Sequence, residues 1–433
     1  MVARLNRSSL WRHSDFLKLW TGETISLFGS QITTLALPLT AVLLLDVTPE
    51  EMGLLTALGF APFLVVTLFA GVWLDRRRKR RVMIGANFGR AALLLLVPLL
   101  AAAGELRFGH LAVIGLLMGA LNILFELAYQ SYLPALLDRD QLQDGNSKLF
   151  ATASVAEIGG PGVAGALIEL LSAPFALVVD AATFLFAGVS AVLIRQHEPD
   201  PAPPARRESV WTQIRGGLRL TLGNVYLRAF VGEAATYNFF NQAMLTLFVL
   251  YATETLGLTP GTLGLIFAVG SVGSLLGSVV TVRVARRFGI GRTMATGAAI
   301  SSIVPVLIPL AGGVLLLPML LFAFFITYFG IALTNVHTFS IRQALVPDHL
   351  RARMNASYRF VSWGVIPIAS FFSGQLAGAI GVRSTLLVAA IGLMSAALWL
   401  LQPRLLALRA IPPMIEEPVE TSTQVTAPGF AQL

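Results

Sequence analysis

Gly71-Val-Trp-Leu-Asp-Arg-Arg-Arg-Lys-Arg-Arg, residues 71–81, is the stretch whose reading decides the fold. It closes an apolar run, Met52 to Leu74, long enough to cross a bilayer core. A lone acid, Asp75, comes next, and then six consecutive basic residues, Arg76 to Arg81. Such a block cannot sit in lipid, and cationic loops are retained on the cytoplasmic side. It therefore fixes which end of the preceding helix is expected inside. An acid opening a basic loop can pair with a neighbouring Arg or cap a helix N-terminus, where negative charge is favoured. Two readings stay open from these residues alone: a stop-transfer charge cluster and a gating loop.

Composition supports the membrane reading. The 433 residues are 55% hydrophobic and 12% charged, against roughly 25% charged in an average soluble domain. Apolar runs recur throughout, so the expected class is an all-α integral membrane protein. Spanning strands would instead show short alternating segments. Twelve apolar segments are predicted, the first at 17–45, the tenth at 315–341 and the last at 384–401. The net charge of +8 lies in short loops between spans, which is a topology signal and no nucleic-acid surface. Cysteine is absent, which excludes disulfides and thiolate metal sites. No cleavable signal peptide is visible in Met1 to Leu10.

Counting Lys and Arg sets the orientation. With both termini in the cytoplasm, the external loops hold only Arg107 and Arg383 of the 31 basic residues. The longest polar interruption, 195–226, is read as a cytoplasmic linker. It separates an N-terminal six-helix bundle, 1–194, from a C-terminal one, 227–405, and 406–433 is read as a flexible cytoplasmic tail. The halves repeat. Leu17-Lys-Leu-Trp-Thr-Gly-Glu23 answers Leu227-Arg-Ala-Phe-Val-Gly-Glu233, and Gly71 answers Gly277 once a gap is allowed. In the second copy Thr281 stands where Asp75 stood, so an acid-dependent latch would exist once per molecule.

Gly71-x-x-x-Asp75-Arg76-x-x-Lys79-Arg80 resembles the loop between the second and third spans of major facilitator superfamily transporters, with Arg78 where that family usually has Gly. Glu157-Ile-Gly-Gly160-Pro161-Gly162-Val-Ala-Gly165 resembles the antiporter signature of drug:proton exporters, with Ala164 in place of a glycine. A proline there bends a helix in any case, so a plain kink is the competing reading. Together with Leu19 to Ser26, Asn146-Ser, Asp180-Ala and Asn238-Phe-Phe, these motifs are similar to the macrolide-efflux and enterobactin-exporter branch. That resemblance implies a fold of two pseudo-symmetric six-helix bundles with substrate bound between them. It also implies a bacterial inner membrane, proton antiport and export of amphipathic small molecules, drug- or macrolide-like. A siderophore or lysophospholipid transporter of the same fold is the alternative, and Glu23 departs from the Gln of that branch.

Ionisable groups inside spans are expensive and mark pathways or proton relays. Glu23 and Glu233 fall at one depth by repeat symmetry, about six residues or roughly 9 Å of helix above the inner end of their spans. Glu157, near midplane, is the third proton-coupling candidate. The gating loop is expected to work through Gly71, Asp75, Arg76 and Arg80, with Asp75 latching the inner gate so that the protein rests open to the outside. Gly160, Pro161 and Gly165 carry the signature. Gln31, Asn238, Phe239 and Asn241 suit an amphipathic cavity, and ordinary interhelical contacts are the alternative. Arg90 and Glu126, at comparable depth in adjacent spans, are expected to form a structural ion pair. No nucleotide-binding loop or metal constellation appears, so neither enzyme activity nor a cofactor is expected. The expected partners are substrate, protons and lipid, with the chain acting as a monomer.

Overall fold

The computed structural model describes residues 10–196, 198 and 210–414; the side chains of 67–69, 71, 72, 75 and 210–214 lie outside the description. In lipid every backbone polar group must be satisfied internally, and the chain answers with helices. In the first half these are α1 (Ser14–Leu45), α2 (Pro49–Asp75), α3 (Lys79–Ala102), α4 (Phe108–Leu136), α5 (Arg139–Leu171) and α6 (Ala173–Val192). α7 (Val210–Gly223) follows, and then α8 (Val225–Leu250) and α9 (Pro260–Phe288). α10 (Ile290–Ile303) passes through a 3₁₀ turn at Val304–Val306, which contains Pro305, into α11 (Leu307–Leu310). α12 (Leu316–Leu345), α13 (Asp348–Ile380), α14 (Val382–Leu398) and the short α15 (Pro403–Leu406) complete the helices of the described residues.

Local sequence sets the helix starts. The Thr48 hydroxyl accepts the Glu51 N–H at 3.3 Å while the Glu51 carboxylate accepts the Thr48 N–H at 3.0 Å. With Pro49 in the first turn this is a capping box that satisfies two orphan donors. Ten helical segments among the described residues are long and apolar enough to cross a membrane. α14 is a shorter apolar helix. α8 falls outside that set because Glu233, Asn238, Asn241 and Gln242 interrupt its apolar run. These two make up the expected twelve.

Helices α1–α6 pack among themselves, as do α8–α14, giving two six-helix bundles. Exposed Leu99, Leu170 and Ile391 face outward, where lipid suits them better than water. The linker reading needs an addition, because 195–226 contains α7, packed against α13 and α8. The tail also starts later than 406. Leu405, Leu406 and Leu408 join an apolar cluster on α10, and the Leu408 carbonyl accepts the Gly291 N–H at 2.9 Å. Residues 415–433 lie outside the description.

The bundles meet most closely at the end away from the described terminal segments. α2 crosses α13 where a Cβ on Gly53 would lie 2.7 Å from the Gly374 Cα, and α5 crosses α9 where one on Gly165 would lie 2.7 Å from the Gly264 Cα. Only glycine on both helices permits such backbone approach. Glu169 of α5 reinforces this seal across the bundles. Its carboxylate accepts the Gly261 N–H at 2.7 Å and the Thr259 hydroxyl at 3.1 Å, capping the start of α9.

Candidate functional site

In the first bundle the intramembrane polar groups close on one another. Arg90 lies on the buried face of α3, 4% exposed. Its guanidinium sits between the rings of Phe125 and Phe184, 4.3 and 4.2 Å from their centroids. One terminal nitrogen donates to Asn122 Oδ1 at 3.0 Å and the other to Asn87 Oδ1. A cation held over aromatic faces away from water is stabilised by the ring quadrupoles. Asp180 of α6, fully buried, accepts the Thr33 and Thr183 hydroxyls and adds an opposite charge near Arg90. Glu23 of α1 is half-buried and also lies in the field of Arg90. Among the described residues no hydrogen bond or ion pair reaches its carboxylate.

The expected Arg90–Glu126 pair is a correction. Phe125 takes the face of α4 that meets Arg90, and the next residue on a helix points about 100° away. That rotation turns Glu126 toward the other bundle, where it pairs with Arg359 of α13 at 3.2 Å. The Arg359 guanidinium lies 4.6 Å from the centroid of Trp363 and 5.8 Å from that of Phe63. The pair is a bridge between bundles, with side chains 38% and 44% exposed.

The second bundle places its charges differently. A cleft of about 730 Å³ opens between α8, α10, α12 and α13, within the usual range for small-molecule sites. Glu233, Tyr237, Arg342 and Tyr358 line it, with Asn238 and Asn241 beside them. Glu233 is 7% exposed and Arg342 is 9% exposed, yet the two form no ion pair with each other or with any described residue. Arg342 stacks on Tyr358, 3.5 Å from the ring centroid, and its Nε has no partner among the described residues. The Tyr237 hydroxyl is also buried without a partner among the described residues. Asn238 Nδ2 is occupied by the Ser362 carbonyl at 2.7 Å.

Helix register explains the contrast. The buried face of α3 runs Met83, Ala86, Asn87, Arg90; that of α10 runs Met294, Gly297, Ala298, Ser301. Ser301, which lines the cleft, thus stands where Arg90 stands in the first half. Likewise Ala389 of α14 stands in the place of Asp180, and Leu393 in that of Phe184. Glu233 has lost the cation that accompanies Glu23.

Of the other expected residues, Glu157 is exposed, and its backbone carbonyl accepts the Ser271 hydroxyl at 2.9 Å. Tyr328, on the cleft wall, lies in its field. Gly160 packs on the side chain of Gln31, and Pro161 and Gly165 form the close crossing with α9. Gln31 is therefore a helix-packing contact, and Phe239 stacks edge-on with Phe240 at 5.1 Å. In the basic loop, Arg76 is exposed, while Arg80 donates to the Ala191 and Val192 carbonyls at 2.9 and 2.6 Å. Those are the last carbonyls of α6, and a cation suits a helix C-terminus. Glu198 accepts the Lys79 and Arg80 N–H groups at 2.6 and 3.1 Å, capping α3. Gly71 and the Asp75 side chain lie outside the described residues. Thr281, which answers Asp75 in the repeat, is 3.1 Å from His337 Nε2 in a buried contact.

Sequence reasoning missed Arg342, Tyr237, Tyr328 and Tyr358. Arg342 fell just beyond the apolar segment expected to end at 341, whereas α12 continues to Leu345. The signal was available in the i, i+4 spacing of Thr338 with Arg342 and of Ile341 with Leu345, all buried on one helix.

Residues 19–368 match the family described as the Major Facilitator Superfamily. The multidrug efflux pump Tap of Mycolicibacterium fortuitum is 27% identical over 83% of this chain and 88% of its own. Macrolide efflux protein A of Streptococcus pyogenes is 22% identical over 61% of this chain and 65% of its own. Among solved structures, a bacterial homologue of the iron transporter ferroportin in an inward-facing state superposes with a TM-score of 0.73 at 16% identity, over 92% of this chain and all of that one.

Proposed function

Since this chain belongs to the Major Facilitator Superfamily, we propose that it is a proton-coupled secondary transporter exporting amphipathic small molecules, drug- or macrolide-like, across a bacterial inner membrane by alternating access. Its moving units are residues 1–194 and 227–405, joined by the 195–226 linker, and it works as a monomer with both termini in the cytoplasm. The close α2–α13 and α5–α9 crossings then lie outside. The cleft is reached from the cytoplasm, which is the loading state of an exporter. The expected outward-open rest hangs on the Asp75 side chain, which lies outside the described residues.

The observation that carries the reading is Glu233, a buried carboxylate on a cleft wall with no partner among the described residues to hold its charge. Such a group suits reversible protonation. Glu23 is its symmetry mate, Glu157 is the reserve candidate, and Asp75 with its basic loop serves the cytoplasmic gate. The efflux names of the relatives support the direction of transport. The test replaces Glu23 and Glu233 by Gln, which mimics the protonated side chain at nearly constant shape. Uphill export driven by a pH gradient in proteoliposomes is expected to fall to background. Full gradient-driven export by the double variant would remove both residues from coupling and move the assignment to Glu157.

A further inference from the structure

We propose that the cleft of the second bundle selects substrates that carry a cationic and an anionic group on one apolar frame, with Glu233 receiving the first and Arg342 the second. The inference rests on the transport reading for the identity of the cleft as the substrate site, and it deepens that reading by naming the substrate's charge class.

Both side chains are more than nine-tenths buried and line one cleft of about 730 Å³. Opposite charges withdrawn from water ordinarily neutralise each other or are satisfied by hydrogen bonds. Here neither happens among the described residues. Tyr358 stands between them, its ring under the Arg342 guanidinium and its hydroxyl in the fields of both charges. That hydroxyl is turned away to the Phe230 carbonyl at 3.4 Å, so it bridges neither.

The first bundle shows what a closed solution looks like. There Arg90 is consumed by Asn87, Asn122 and two rings, leaving no open terminal nitrogen for a ligand. Among the described residues Arg342 has one face on Tyr358 and no hydrogen-bond partner for Nε or for either terminal nitrogen, whereas Arg90 shares only the unpartnered Nε. A planar guanidinium of that kind matches a carboxylate or phosphate. The Tyr237 hydroxyl and Trp363 on the same wall supply a neutral polar contact and an apolar surface.

The experiment uses four dansyl-labelled probes sharing one aryl–alkyl frame. They bear an ammonium and a carboxylate, the ammonium alone, the carboxylate alone, or neither. Affinity is read by fluorescence titration of the full-length protein in detergent, without a pH gradient, so failed proton coupling leaves the result intact. The wild type is expected to bind the doubly charged probe about tenfold or more tighter than any other. R342Q is expected to erase the advantage over the ammonium probe and R342K to keep most of it. E233Q is expected to erase the advantage over the carboxylate probe. Equal wild-type affinities for all four probes would overturn the proposal, a result readable even where a variant fails to fold. A folded R342Q that keeps the wild-type ratio of doubly charged to ammonium probe would overturn it too.

Discussion

The two bundles start from one helical plan and treat their internal charges in opposite ways. In the first, two amides take both terminal nitrogens of Arg90, two rings cover its faces and Asp180 lies nearby, so that among its nitrogens only Nε lacks a partner among the described residues. In the second, Ser301 and Ala389 occupy the places of Arg90 and Asp180, and Glu233 and Arg342 are left facing a cleft. The first half thus uses intramembrane charge to fix its packing. The second half leaves charge facing a cleft, which the proposed transport reading assigns to proton and substrate. A duplicated fold can divide labour this way because few substitutions at register-equivalent positions remove the neutralising partners without disturbing the helices.

The largest effect that would break this contrast concerns Arg90. Its removal strands the Asn87 and Asn122 oxygens and leaves Asp180 and Glu23 without a nearby cation, so Arg90→Ala is expected to cost about 3–5 kcal/mol. Ser301→Ala at the matching site is expected to cost under about 1 kcal/mol. Thermal unfolding of the purified protein compares them, and equal losses would mean that the first cluster is no more structural than the second. Asp180→Asn comes next. Thr33 and Thr183 donate to different carboxylate oxygens, so the amide keeps an acceptor for one of them and loses the charge, for a loss of about 1–2 kcal/mol by the same measurement. A loss as large as that of Arg90→Ala would make the acid, and not the aromatic sandwich, the centre of the cluster.

The smallest effect sharpens the contrast at the seam. Glu126 and Arg359 are about 40% exposed at their side chains, and such pairs are worth roughly 0.2–1 kcal/mol. Glu126→Gln and Arg359→Gln should therefore shift the balance between open and closed forms only about two- to fivefold. Distances between spin labels at Ser131 and His349 would report it. A complete switch of state by either variant would show that this bridge, and not the far-end glycine crossings with Glu169, sets the resting form.

Much of this was legible in the sequence, and the failures share one cause. Hydropathy and charge counting locate helices along the chain, so the spans, the repeat and the equal standing of Glu23 and Glu233 follow from residue order. They fix depth but carry little about rotation. Arg90 and Glu126 match in depth, and still the face of α4 at that level belongs to Phe125, so Glu126 finds Arg359 far along the chain. The antiporter-like Gly160-Pro161 signature is a packing surface against Gln31 and α9, a partner that short-range spacing does not reveal. Arg342 was hidden for a related reason. A basic residue at the end of an apolar run reads as a topology signal, and only the continuation of α12 to Leu345 shows that it is buried.

Substrate-driven proton movement tests the division of labour between the bundles most directly. Proteoliposomes carrying an interior pH dye receive an amphipathic substrate, and proton release is followed in wild type, Glu23→Gln and Glu233→Gln. Robust release in wild type, its loss in Glu233→Gln and a smaller reduction in Glu23→Gln are the predicted results, because of the two carboxylates Glu233 is the one with no cation beside it among the described residues. Release that survives in Glu233→Gln and vanishes in Glu23→Gln would place coupling in the first bundle and contradict this division.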